Sequence, residues 1–110
     1  MKTYFFIINV IPSKNSPQFD KTAGSLAHFW VVDNSGENAT IRAEHYLSEY
    51  MWDIVDWKQK AIETTREHFA QKEDGLLCYD RAQIEGLVAV FLSWVKDGRL
   101  GDDEVEIEIL

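Results

Sequence analysis

Polar and apolar positions follow two different periods along this chain. From Ala39 onward, Ala39, Ala43, Tyr46, Leu47 and Tyr50 recur at i, i+4, i+7, i+8 and i+11, a single stripe on a 3.6-residue period, while Glu37, Arg42, Glu44, Ser48 and Glu49 take the other side. Upstream, Asp33-Asn34-Ser35-Gly36 offers side-chain oxygens for the unpaired N–H groups of a first turn. The pattern predicts a helix from about Glu37 to Tyr50. Met51, Ile54, Ala61 and Ile62 would prolong the stripe into one helix of roughly 30 residues, well past the common globular length. The preferred reading is a strand from Trp52 to Thr64, because Trp52, Ile54, Val55, Trp57, Ile62 and Thr64 are aromatic or β-branched. Trp52 and Trp57 are then expected on opposite faces, since side chains alternate along a strand.

Three further segments read as strands with two apolar faces: Thr3–Ile11, Ala23–Val32 and Leu87–Val95. Pro12–Thr22 carries both prolines and reads as a long loop. The stretch REHFAQKEDG reads as surface loop with at most one helical turn. Leu76–Glu85 is expected to be a shorter helix with Leu77, Cys78, Ala82 and Ile84 inward, closed by Gly86. From Asp102 to Leu110, Glu104, Glu106 and Glu108 alternate with Val105, Ile107 and Ile109, the pattern of an edge strand with one wet face.

The order β-β-α-β-α-β, with a possible fifth strand, predicts an α+β, two-layer domain: a mostly antiparallel sheet of four to five strands with two helices on one face. In element content it resembles the ferredoxin-like class, an architecture that hosts many functions and licenses no activity. Residues 1–110 read as one domain, with 97–110 an acidic C-terminal segment.

Charge narrows the partners. A net charge of −8 argues against nucleic acid or an anionic membrane. Cys78 is the only cysteine, so no intrachain disulfide can form, and a reducing cytoplasm is expected. The run YFFIINVI after Met1-Lys2-Thr3 has the outline of a short signal peptide, yet no A-x-A-like site follows and it suits a buried strand.

Candidate chemistry is sparse, and neither a catalytic residue nor a cofactor is assigned. His45 and Glu49 share a helical face and offer two metal ligands, with a third and fourth unassigned. Asp53 with Asp56, and Glu73 with Asp74, pair carboxylates as any acidic chain does. No G-x-G-x-x-G or G-x-x-x-x-G-K-[ST] pattern occurs. The first expectation is therefore a non-enzymatic protein-interaction domain, a homodimer or a binder of another protein through an apolar sheet face. Trp30, Trp52, Trp57, Trp94, Val105, Ile107 and Ile109 are its interface candidates. The second is a small-molecule-binding or enzymatic domain with a pocket between sheet and helices, using His28, His45 or Tyr46. The third, resting on charge alone, is an acidic inhibitor of a basic protein.

Overall fold

A computed structural model describes residues 1–95 and 105–109, the last five by their backbone. The elements in chain order are β1 (Lys2–Pro12), β2 (Thr22–Asp33), α1 (Gly36–Glu49), β3 (Trp52–Thr64), a 3-10 turn (Arg66–Phe69), α2 (Glu73–Glu85), β4 (Leu87–Val95) and β5 (Val105–Ile109). The strands form one antiparallel sheet in the order β3-β1-β2-β4-β5. This is an α+β fold. β2 and β3 both pair antiparallel with β1, so α1 connects two parallel strands with β1 between them. The sheet order matches the ferredoxin-like one only approximately.

The central strands are apolar on both faces, and each face has its own helix. On one face Phe6, Ile8, Val10, Phe29, Val31 and Phe91 close over Ala39, Ala43 and Leu47 of α1. On the other, Trp30 and Val88 pack with Phe69, Cys78 and Ala82, so α2 lies opposite α1. The expectation of both helices on one face is corrected accordingly. Two-sided apolar strands need cover on both sides, and each helix with the sheet makes a two-layer core.

Local chemistry explains the helix ends. Ser35 caps α1, its Oγ accepting from the Asn38 N–H at 3.1 Å. Gly86 ends α2 at φ 87°, in the left-handed conformation that glycine adopts without strain, its N–H donating to the Ala82 carbonyl. α2 begins at Glu73, ahead of the expected Leu76, with Glu73 and Asp74 in the first turn where carboxylates favour the dipole. Its buried stripe is Cys78 and Ala82 with Leu76 and Tyr79 beside them, whereas Leu77 and Ile84, expected inward, are exposed. Phe69, expected at the surface, is core.

β3 carries three register shifts against β1. At one of them Val10 pairs with Ile54 and Asn9 with Asp56, leaving Val55 as an extra residue. That insertion cancels the odd spacing between the tryptophans. Trp52 stacks on Phe91 at 4.9 Å and Trp57 meets Phe6 edge-on at 6.0 Å, so both lie on the α1 side of the sheet. The expectation of opposite faces fails for this reason.

β5 adds to the β4 edge of its own chain, Ile109 opposite Val90, Ile107 opposite Leu92 and Val105 opposite Trp94. The rest of the acidic segment, 97–104 and 110, lies outside the described residues, as do the side chains of Val105, Ile107 and Ile109.

Candidate functional site

The two faces of the sheet are not equally closed. On the α1 side Phe6, Ile8, Val10, Ala27, Phe29, Val31, Ala89 and Phe91 are fully buried. On the α2 side only one end is covered, and Ile7, Leu26, His28, Val90, Leu92 and Trp94 remain half-buried. Between α2 and the strands β2 and β4 lies a half-open cavity of about 420 Å³, within the common range for small-molecule sites.

Three elements build it. From β2 come His28 and Trp30, two residues apart and so on the same face; from β4 come Val90, opposite His28, and Leu92; from α2 come Leu77, Cys78 and Arg81. Asp74 and Gly75 complete its rim at the start of α2. Most of this lining is apolar. Trp30 is held from the side by aromatic contacts, with Phe5 at 5.0 Å and Phe69 at 5.6 Å between ring centroids.

The polar groups of the lining are few and uncharged where they are buried. Trp30 is 5% exposed, and its indole Nε1–H is buried with no hydrogen-bond acceptor among the described residues. A buried donor left unpaired costs roughly 1–3 kcal/mol, which makes this N–H the exceptional group of the site. His28 Nδ1 lies 3.3 Å from the Leu26 carbonyl oxygen. Burial lowers the His28 pKa below its ordinary 6.5, outweighing the Leu26 and Val90 carbonyls that favour the protonated ring, so the imidazole is neutral at neutral pH. Burial likewise raises the Cys78 thiol, opposed by Arg81 and reinforced by Asp74, which leaves a protonated, weakly nucleophilic sulfur.

The charged groups stand at the mouth. Arg81 is held by Glu85, with Nε and Nη2 at 2.9 and 2.8 Å from the same carboxylate oxygen. Asp74 has no ion-pair partner among the described residues.

The other sequence candidates fall elsewhere. His45 and Glu49 are exposed on α1, across the sheet from His28, and no group of three or more His, Cys, Asp or Glu among the described residues is placed to hold a metal ion. His68 works as a local clasp: its Nδ1 lies 2.7 Å from Thr64 Oγ1 and accepts from the Thr65 N–H at 3.1 Å. Tyr46 packs against Phe29 and Phe91 on the α1 side, where burial chiefly, with Tyr50 and Glu49 adding, pushes its phenol up to about 12. Of the tryptophans, Trp30 and Trp52 are buried, Trp57 and Trp94 half-buried. Trp57 borders a smaller hollow of about 290 Å³ with Thr40, Glu44, Lys60 and Ala61. Of the three side chains expected at a pocket by residue type, His28 lines the cavity, while His45 and Tyr46 lie on the far side of the sheet. Trp30, Cys78 and Leu92 join His28 through strand register and helix docking, which no local signal in the sequence carries.

Comparison with protein-family models, with curated proteins and with solved structures finds no match to this chain. Among the described residues no helix is long and apolar enough to cross a membrane.

Proposed function

We propose that this chain is a small-molecule-binding domain whose ligand occupies the cavity between α2 and the β2–β4 face of the sheet. The observation that carries this reading is the half-open, largely apolar cavity of about 420 Å³ bounded by His28 and Trp30 of β2, Val90 and Leu92 of β4 and Cys78 of α2. Leu77, Val90 and Leu92 would supply apolar contact to a ligand there. Burial favours the Cys78 thiol over its thiolate, and the reading is one of binding. A lone buried cysteine suits a reducing cytoplasm.

Thermal-shift screening of small apolar compounds against the wild-type chain and Val90→Phe tests it. Phenylalanine at position 90 fills the cavity from the β4 side, so compounds that raise the wild-type midpoint should leave the variant unmoved. No responding compound, or equal responses from both proteins, would contradict the proposal.

A second reading, a homodimer, draws on a different observation: Leu77 is 60% exposed on α2, and Ile7, Leu26, Leu92 and Trp94 are half-buried on the sheet face that α2 covers at one end. In that reading a second copy covers this face, with Leu77 of each chain seated in the other's cavity, as two-fold symmetry requires of a shared patch. Sedimentation equilibrium separates the two. A mass that stays near 12.7 kDa as concentration rises excludes self-association. A dimer that dissociates on Leu77→Glu supports it. Inhibition of a basic protein would rest on the net charge of −8 alone.

A further inference from the structure

The charges at the mouth of the cavity narrow the class of its ligand, an inference that rests on reading the cavity as a binding site. Asp74, Leu77, Cys78 and Arg81 of α2 all line it, and their spacing of i, i+3, i+4 and i+7 sets these side chains on one face of the helix. Both charged groups reach Cys78: burial is the chief cause that raises its thiol, Arg81 opposes and Asp74 adds. Only one of the two is compensated. Arg81 donates from Nε and Nη2 to a single oxygen of Glu85, at 2.9 and 2.8 Å, whereas Asp74 has neither an ion pair nor a side-chain hydrogen bond among the described residues.

Deeper in, Trp30, Val90 and Leu92 take an apolar body and compensate no charge, so a charged group on a ligand belongs at the mouth. Asp74 is exposed, and a cation beside it keeps part of its water while gaining a counter-charge. An anion finds the opposite. The cation of the site, Arg81, would have to be taken from Glu85, in a chain whose net charge is already −8. Seven residues, about 10 Å of helix rise, part Asp74 from Arg81, and Glu85 lies a further turn beyond. We infer that the ligand of this cavity is an amphiphilic organic amine, its protonated nitrogen at Asp74 and its apolar body between α2 and the strands β2 and β4.

The test compares matched probes that differ only at the polar end. Octylamine, octanol and octanoate form one set, 1-naphthylmethylamine, 1-naphthalenemethanol and 1-naphthoate another, each titrated by calorimetry into the full-length chain at neutral pH and low salt. In at least one set the amine should bind about threefold tighter than the alcohol, the worth of an exposed ion pair, and about tenfold tighter than the acid. Asp74→Asn, which keeps the shape of the side chain, should bring the amine-to-alcohol ratio to about one, and added salt should shrink that ratio in the wild-type chain. If the alcohol or the acid binds as tightly as the amine in both sets, the inferred ligand class is wrong while the cavity remains a binding site. An amine preference that survives Asp74→Asn would overturn it too, because the preference would then belong to the net charge of −8. Failure of every member of both sets to bind would remove the cavity reading, and this inference with it.

Discussion

Gly75 lies so close against the ring of Phe69 that a Cβ at position 75 would stand 2.8 Å from Phe69 Cδ1. The first turn of α2 therefore rests on the same ring that supports Trp30 from the side. Two effects compete in Gly75→Ala. Alanine in a helix is favoured over glycine by about 1 kcal/mol, and overpacking a buried ring costs about 1–3 kcal/mol. Phe69 is 8% exposed and touches Phe5, Trp30 and Tyr79, so it has little room to yield. The expected outcome is a net loss of about 1 kcal/mol in denaturant unfolding, which should shrink when the same change is made in a Phe69→Leu background. A stabilised Gly75→Ala chain would mean that α2 is free to lift from the sheet.

Trp30→Phe should separate the contribution of the indole N–H from that of the ring. The substitution removes a buried donor that has no acceptor, offsetting the packing lost with the smaller ring, so stability should change by less than about 1.5 kcal/mol. Trp30→Ala, which deletes the aromatic contacts with Phe5 and Phe69 as well, should cost about 3–5 kcal/mol. Urea unfolding of the two variants provides the comparison. Similar losses would mean that the fold depends on the indole N–H or on the full size of Trp30.

His28 should make stability depend on pH. Its folded-state pKa lies below the ordinary 6.5, so as pH falls the unfolded chain takes up the proton first. The stability is full above that value and is lost as pH falls through 6.5 towards the lower folded-state value, where the curve levels off. The opposite slope would require a raised pKa. His28→Gln should flatten this window specifically, leaving unchanged the loss at more acid pH that arises from Asp33 and Asp80, whose carboxyls are lowered mainly by hydrogen bonds with the Asn34 backbone and with Arg66. Midpoints of thermal unfolding between pH 8 and 5 check the sign (roughly the span in which histidine titrates).

The extra residue in β3 is open to a direct test. Removing Val55 leaves Trp52 and Trp57 four residues apart, an even spacing that regular alternation keeps on the α1 side against Phe91 and Phe6. The loss should therefore stay well below the roughly 3–5 kcal/mol of truncating a buried aromatic, and a loss of that size would mean that Val55 is not the extra residue. Val55→Thr, at an exposed position, should stay within about 0.5 kcal/mol. Circular dichroism melts of both chains suffice.

These residues mark where the sequence is informative and where it stops. The strand Trp52–Thr64 has the predicted bounds because aromatic and β-branched residues recur at both its ends, on either side of Lys58-Gln59-Lys60. The helix over Gly36–Glu49 follows from its apolar stripe, and Gly86 from its place after Glu85. What the alternation rule could not register is an insertion in one strand relative to its partner, although Ile54 and Val55 side by side in a polar stretch are its trace. The division of the helices between two faces is implicit in the apolar residues on both sides of β1, β2 and β4, which ask for two covers; amphipathic pattern alone does not say which face a helix takes. The cavity lies further from view. His28, Trp30, Cys78 and Leu92 come together through the pairing of β2 with β4 and the docking of α2, long-range relationships with no local signature. An unpaired N–H is a property of the folded surroundings, and a tryptophan in an apolar strand reads as core whether or not its nitrogen finds a partner.

The indole N–H resonances report on the central claim most directly. The chain has four tryptophans, and single Trp→Phe variants assign each Nε1–H in a heteronuclear spectrum. Titration with a small apolar compound that raises the thermal midpoint should move the Trp30 signal, whose residue lines the cavity, and saturate near one equivalent, while the Trp52 and Trp57 signals on the other side of the sheet hold their places. A Trp30 signal that stays fixed throughout, or one that moves only as protein concentration is raised, would contradict a ligand site at this cavity.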